Sequence, residues 1–271
     1  MTQAADIFGR DKALVGMVHL PALPGTPGSQ LDMSAIIEQA TAESILLTES
    51  GFDALLIENM HDVPYLQRNV GPEIVAAMTI VACAIRRAVE LPLGVQVLAG
   101  ANHDALAIAH AANAEFIRVE GFVFSAVADE GLLEKADAGP LLRYRKQIGA
   151  ERIKILADIK KKHSSHALTA DIDVGEMAKA AEFFGADGVI ITGIATGQSI
   201  RIDDLGTARI ATQLPLLVGS GVTPDSVANL YAYADALIVG SWYKRDGLWS
   251  NPPCPERAKE LVEAVREVRS S

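Results

Sequence analysis

The chain has only two cysteines in 271 residues, few aromatic side chains (5%), and no uninterrupted apolar run near the ~20 residues that a membrane span needs. Cys83 and Cys254 lie far apart without metal-ligand spacing, which argues against both a thiolate metal site and a disulfide-stapled secreted scaffold. Cys83, inside IVACAIRRAV, reads as a small core residue, and a reducing cytoplasm is the expected compartment. No apolar signal region is present in MTQAADIFGRDKA, so a soluble protein without an integral membrane segment is expected. Positive charge is also scarce. Lys and Arg number 24 against 34 Asp and Glu, and the net charge of −10 argues against a nucleic-acid surface, whose affinity comes from neutralising phosphates. Two nucleotide fingerprints are missing: G-x-G-x-x-G after the first strand candidate and G-x-x-x-x-G-K-[ST] anywhere.

The chain is nonetheless 49% hydrophobic, enough for one large core, and no linker or low-complexity stretch divides it. A single domain over residues 1–271 is expected. Short apolar runs bounded by Gly, Pro and polar residues read as eight buried strands. They are Ala13–Leu20, Ala54–Asn59, Leu93–Leu98, Phe116–Glu120, Ile153–Ile159, Gly188–Gly193, Leu216–Gly221 and Ala236–Ser241. Amphipathic segments such as MSAIIEQATAESILLTES alternate with them, and helix-to-strand junctions recur in ESGFDALLI, AANAEFIRV, FFGADGVII and AYADALIVG. Eight repeated βα units predict an α/β fold of the (β/α)8 TIM-barrel type; a doubly wound open sheet is the alternative.

Alternation along each strand sorts side chains between the helices and the barrel interior. In IKILADIK, Ile153, Ile155, Ala157 and Ile159 take one face, and Lys154, Leu156, Asp158 and Lys160 the other. The same parity turns His19, Glu58, Gln96, Arg118, Glu120 and Thr192 inward, most of them at the carboxyl ends of their strands. A barrel filled for stability alone would carry Val, Ile and Leu there. Charge in that position is costly unless paired, so either a ligand site or structural ion pairs such as Arg118–Glu120 and Lys154–Asp158 are expected. Asp158, Glu120, His19, Lys160, Arg118 and Glu58 are the catalytic candidates, with Gln96, Asn102, Lys154, Thr192 and Gly193 as substrate-binding candidates.

LLVGSGVTPDSVANL adds a more specific signal. A strand ends at Val218, Gly219, Ser220 and Gly221 permit close backbone approach, and Thr223-Pro224 suits a helix start. Gly240 and Ser241 occupy the matching place one unit later. Paired turns after strands seven and eight are a common phosphate site in barrels, though plain tight turns would look the same. ITGIATGQSI, with Thr196 and Gly197, reads as a lid or a polar loop. The long loops after strands four and five, the latter carrying His163 and His166, read as lids or binding loops.

VGMVHLPALPGTPG, ALLIENMHDVPY, VQVLAGAN, FIRVEGFVFSAVADEGLLE, ADIKKKHSSH, GVIITGIATG and VGSGVTPDSV together resemble the BtpA/SgcQ family in order and spacing, over roughly Leu14 to Val265. The resemblance implies a barrel akin to the ribulose-phosphate-binding group. It also implies a family named for photosystem I biogenesis, with other members tied to sugar uptake or nucleosides. Two functions are expected. One is an isomerase, epimerase or lyase acting on a small phosphorylated sugar or nucleoside-derived phosphate. Here Asp158 or Glu120 would be the base, Lys160 or Arg118 would stabilise negative charge, and His19 would shuttle a proton. The other is a non-enzymatic assembly or stability factor for a membrane complex. Variants of the first include a metal-dependent hydrolase, with a divalent cation such as Mg held by Glu58, Glu120 and Asp158 beside His19, and a Schiff base on Lys154 or Lys160. A homo-oligomer is expected.

Overall fold

The computed structural model describes residues 2–160, 164–193 and 200–270. Eight parallel strands carry the fold: β1 (Ala13–His19), β2 (Ala54–Glu58), β3 (Leu93–Gln96), β4 (Phe116–Val119), β5 (Lys154–Lys160), β6 (Gly188–Ile191), β7 (Leu216–Val218) and β8 (Ala236–Val239). They form a closed barrel in the order β1-β8-β7-β6-β5-β4-β3-β2. β1 completes the ring by pairing Ala13 with Ala236 on one side and Val15 with Ala54 on the other. Closure rules out the open sheet. Each strand lies where apolar runs and punctuation place it, but most stop one to three residues early, because the chain leaves the sheet there to build the mouth.

The helices among the described residues are α1 (Ala4–Phe8), α2 (Met33–Ser50), α3 (Pro72–Ala88), α4 (Asn102–Ala111), α5 (Ala138–Gln147), α6 (Val174–Phe183), α7 (Ile202–Ala211), α8 (Val227–Tyr231) and α9 (Pro255–Ser270). Local chemistry sets several of their ends. Asp32 caps α2 by accepting from the Ala35 amide at 2.8 Å, and Gly51, at φ 104°, ends it in the left-handed region that glycine adopts without strain. Asp173 and Glu176 form a reciprocal capping box at the start of α6.

Side-chain parity divides the core in two. Leu55, Ile57, Val95, Ile117, Val119, Ile155 and Ala157 pack outward against the helices. Val15, Met17, Leu56, Phe116, Leu156, Ile190, Leu217 and Ile238 fill the interior together with Ala4, Ile7 and Phe8 of α1. Phe8 meets Phe116 edge-on at 5.4 Å. Gly94 makes room for Phe116, since a Cβ there would lie 2.1 Å from the ring. Hydrocarbon therefore fills the amino-terminal half of the barrel, and polar groups are left to the carboxyl-terminal half.

A bulge in β5 changes one expectation. Asp158 pairs with Ile190 and Lys160 with Ile191, leaving Ile159 as an extra residue. Ile190 faces the interior and Ile191 the helices. Lys160 consequently follows Ile191 outward, and its Nζ lies 2.9 Å from Asp204 on α7. Strict alternation places it inside; the inserted residue reverses that.

The long loops after β4 and β5 are joined. Ala126–Ala128 pairs antiparallel with Gly131–Leu133 on one side and Ser164–Ser165 on the other, making a small separate sheet.

Candidate functional site

His19 ends β1 and Glu58 ends β2, as register partners on adjacent strands. The imidazole Nε2 lies 3.6 Å from Glu58 Oε2, with both side chains buried. On the other side, His19 Nδ1 is 3.2 Å from the Trp249 carbonyl oxygen. A carbonyl only accepts, so Nδ1 is the donor in that contact.

Arg118 crosses the interior from β4 to β5. Its Nε donates to Asp158 Oδ2 at 3.1 Å and its Nη2 to Asp158 Oδ1 at 3.2 Å, a two-point fork with both partners buried. Burial works against the Arg118 charge, but Asp158, Glu58 and Glu120 together outweigh it and hold the guanidinium above its usual value.

Gln96 and Glu120 come from β3 and the end of β4. Gln96 Nε2 donates to Glu120 Oε1 at 3.4 Å, while Gln96 Oε1 is buried with no hydrogen-bond partner among the described residues. An orphaned buried acceptor costs about 1–3 kcal/mol, which a ligand donor would recover. Asn102 acts one step back. Its Oδ1 accepts from the Glu120 amide at 3.2 Å, and its Nδ2 donates to the Glu120 carbonyl at 2.9 Å and to Asp137 at 2.7 Å. It therefore pins the backbone that carries Glu120.

The glycine turns after β7 and β8 meet. Gly219, Ser220, Gly221, Gly240 and Ser241 line one cavity of about 280 Å3, with Met17 and His19 on its wall. Crowding explains the glycines. A Cβ on Gly240 would lie 2.9 Å from the His19 ring, and one on Gly219 would lie 2.8 Å from Ile190 and 3.3 Å from Arg118 Nη2. Ser220 Oγ accepts from the Gly193 amide at 2.6 Å, tying the loop after β6 to this turn. Thr192 Oγ1 donates to the Lys160 carbonyl at 3.0 Å and so serves the splice between β5 and β6. Arg257, from the first turn of α9, also lines the cavity; its guanidinium lies 4.0 Å over the Trp242 ring.

Beside the mouth, the β8–α9 segment crosses α2 and leaves a second recess of about 820 Å3. His19, His61, Trp249, Glu43 and Lys244 are among its walls. Lys244 is paired with Glu43, whose Oε1 also accepts from the Tyr243 hydroxyl at 2.6 Å. Burial lowers the Lys244 ammonium from its usual value against the pull of Glu43. Burial, then the Lys244 charge, lowers His61 as well.

The sequence-derived candidates thus divide. His19, Glu58 and Gln96 end β1, β2 and β3, Arg118 and Glu120 flank the last residue of β4, Asp158 lies two residues before the end of β5, and His19 lines the glycine cavity. Lys154 is not brought to the mouth: it begins β5 level with Phe116, at the hydrocarbon end, and its Nζ lies 3.6 Å from Asp187. Parity assigns a face but carries no information about depth. With Lys154 and Lys160 both paired away from the interior, neither is placed for a Schiff base there. His166 lines a separate recess of about 310 Å3 with Lys160 and Asp204. His163, Thr196 and Gly197 lie outside the described residues.

Among the described residues no three His, Cys, Asp or Glu side chains converge closely enough to hold a metal ion. Asp158, one member of the expected Glu58–Glu120–Asp158 set, spends both oxygens on Arg118. Arg257, Trp249, Lys244, Glu43 and His61 are not among the sequence-derived candidates; tertiary closure assembles them.

The chain belongs to the BtpA family, whose model matches residues 10–267. It is 42% identical over 259 residues to a Caenorhabditis elegans protein described as uncharacterized and mitochondrial, covering 94% of this chain and 93% of that one. It is 34% identical over 261 residues to the photosystem I biogenesis protein BtpA of Synechocystis, covering 96% and 90%. Among solved structures, thiamine phosphate pyrophosphorylase from Pyrococcus furiosus superposes with a TM-score of 0.59 at 14% identity, covering 95% of this chain and 96% of that one. That likeness shows a shared barrel fold. No helix among the described residues is long and apolar enough to cross a membrane.

Proposed function

We propose that this BtpA-family barrel binds a small phosphorylated sugar or nucleoside-derived phosphate at its carboxyl-terminal mouth and acts on it as an isomerase, epimerase or lyase. One observation carries the reading. The turns at Gly219–Gly221 and Gly240–Ser241, which follow the adjacent strands β7 and β8, line a single cavity whose wall is His19, itself 3.6 Å from Glu58. Backbone amides in such turns bind an anion without a side-chain charge.

The chemistry that suits the remaining groups is proton abstraction beside a carbonyl. Glu120, braced by Gln96 and by Asn102 through its backbone, is the candidate base that takes the C–H proton. Arg118 would stabilise the enolate oxygen as negative charge develops. Asp158 holds the guanidinium in position rather than acting as the base, since its two oxygens are engaged. Glu120 would return that proton to the neighbouring carbon for isomerisation, while His19, held beside Glu58, would shuttle the hydroxyl proton to the enolate oxygen. For the lyase outcome Glu120 would instead take a β-hydroxyl proton, the C–C bond would break to an aldehyde and an enolate stabilised by Arg118, and the same proton would return to the enolate carbon. Relatives of this fold support phosphate as a ligand class, because thiamine phosphate pyrophosphorylase is named for a phosphorylated compound.

The test is a thermal-shift and proton-exchange screen. Sugar phosphates should raise Tm, because a ligand bound only to the native state stabilises it. Those that are substrates should exchange a carbon-bound proton for deuterium in D2O, and Glu120→Gln should abolish exchange while retaining the Tm shift. Absence of a shift with every phosphate ester would remove the reading.

A second reading, an assembly factor for a membrane complex, draws on the name of the Synechocystis relative. Phe183 and Ile210, exposed by 85% and 88%, are the apolar surface groups that such a role would use. It predicts that Glu120→Gln keeps full biological function while Phe183→Ser with Ile210→Ser loses it.

A further inference from the structure

The proposed reaction uses the cavity of about 280 Å3 and the interior cluster, and leaves the adjoining recess of about 820 Å3 without a role. A phosphate and a few carbons fill the smaller space. The larger one falls within the roughly 300–1,000 Å3 typical of ligand cavities.

The two spaces share a wall. His19 lines both. On the cradle side its ring would lie 2.9 Å from a Cβ at Gly240, and on the recess side its centre is 6.0 Å from Trp249. Trp249 in turn sits 4.9 Å from His61. An anion on the Gly240 turn and a flat group beside Trp249 would therefore flank the same imidazole, so a linker of pentose size passing its edge would join them. Around the aromatic wall the recess offers both polarities: the Gln30 and Gln39 amides, and the paired ammonium and carboxylate of Lys244 and Glu43. Flat heteroaromatic rings use that combination, with faces that stack on aromatic side chains and edges that carry donors and acceptors.

We propose that the recess receives an aromatic or heteroaromatic ring attached to the phosphorylated ligand, so that the substrate class is a nucleoside 5′-phosphate type rather than a bare sugar phosphate. This inference rests on the phosphate reading above, and the test separates the two.

Dissociation constants are measured on the full chain for inorganic phosphate, ribose 5-phosphate, AMP and UMP. At least one nucleotide is expected to bind about tenfold or more tightly than ribose 5-phosphate. Leu46 lines the recess from α2, away from the cradle. Leu46→Trp should fill the space and bring nucleotide affinity down to that of ribose 5-phosphate, with ribose 5-phosphate itself unaffected. His61→Ala is the parallel variant, expected to lose part of the same preference; circular dichroism and Tm show that each variant is folded. If ribose 5-phosphate binds as tightly as both nucleotides, or the nucleotide preference survives both variants, the ring recess is overturned while the phosphate cradle stands. If no phosphate ester binds at all, both fall.

Discussion

Arg118 and Asp158 face each other on neighbouring strands and are joined by two hydrogen bonds, at 3.1 and 3.2 Å, in the buried mouth of the barrel. Removing Asp158 takes away the carboxylate that makes both hydrogen bonds to the buried guanidinium and leaves only Glu58 and Glu120 to offset its charge. Asp158→Ala should therefore destabilise the protein by about 3–5 kcal/mol in urea denaturation. The double variant Arg118→Met with Asp158→Leu should recover part of that loss, since Glu58 and Glu120 then lose their facing cation, while remaining inactive. A double variant no more stable than Asp158→Ala would mean that the pair is not the coupled unit described here.

Gly240 tests the cradle sterically. A methyl at this position would press on the His19 ring, with the nearest ring atoms 2.9 Å from the Cβ. Overpacking of this kind costs typically about 1–3 kcal/mol and displaces the neighbour. Gly240→Ala should fold with a lowered Tm and weaken phosphate-ester binding about tenfold or more in calorimetric titration. Unchanged affinity would place the anion elsewhere.

The two lysines that the structure moves out of the interior should be dispensable for chemistry. Lys154 pairs with Asp187 and Lys160 with Asp204, both pairs partly exposed. Such pairs contribute about 0–1 kcal/mol. Lys154→Met should change stability within that range and leave turnover intact. A borohydride-trapped adduct on either lysine would contradict their placement.

His61 gives a pH signature. Its pKa is lowered from 6.5 by burial and then by the Lys244 charge, so the unfolded chain binds a proton that the folded one resists. With more protons bound in the unfolded state, stability rises with pH, and on acidification it is lost as pH falls below 6.5. Subtracting the stability profile of His61→Asn from that of the wild type should isolate a positive slope confined to that acid side. A flat difference would place His61 in a solvated setting, and a negative slope would mean that an anionic neighbour raises its pKa instead.

These predictions also mark how far the sequence could be read. Strand parity placed His19, Glu58, Arg118 and Asp158 because they lie on regular stretches where alternation holds, and apolar neighbours such as Met17 and Leu156 confirm the face. Lys160 escaped because one inserted residue, Ile159, is invisible to a period-two pattern. Lys154 escaped for a different reason: alternation gives a face, whereas depth depends on the stagger between strands, which pairs Lys154 with Phe116. Lys244 and Trp249 lie in SWYKRDGLWSNPP, an aromatic segment that reads equally as a loop over the mouth or a subunit contact, and Glu43 has no local mark. Glu43 and Lys244 are separated by 201 positions and meet only once the last strand has closed against the first.

The phosphate cradle is tested most directly by crystals soaked with ribose 5-phosphate. The account predicts phosphate oxygens about 3 Å from backbone amides of the Gly219–Gly221 and Gly240–Ser241 turns, with the sugar directed past His19. A bound sugar phosphate whose anion sits on surface lysines or in the Lys160–Asp204 recess, with those turns bare, would contradict it.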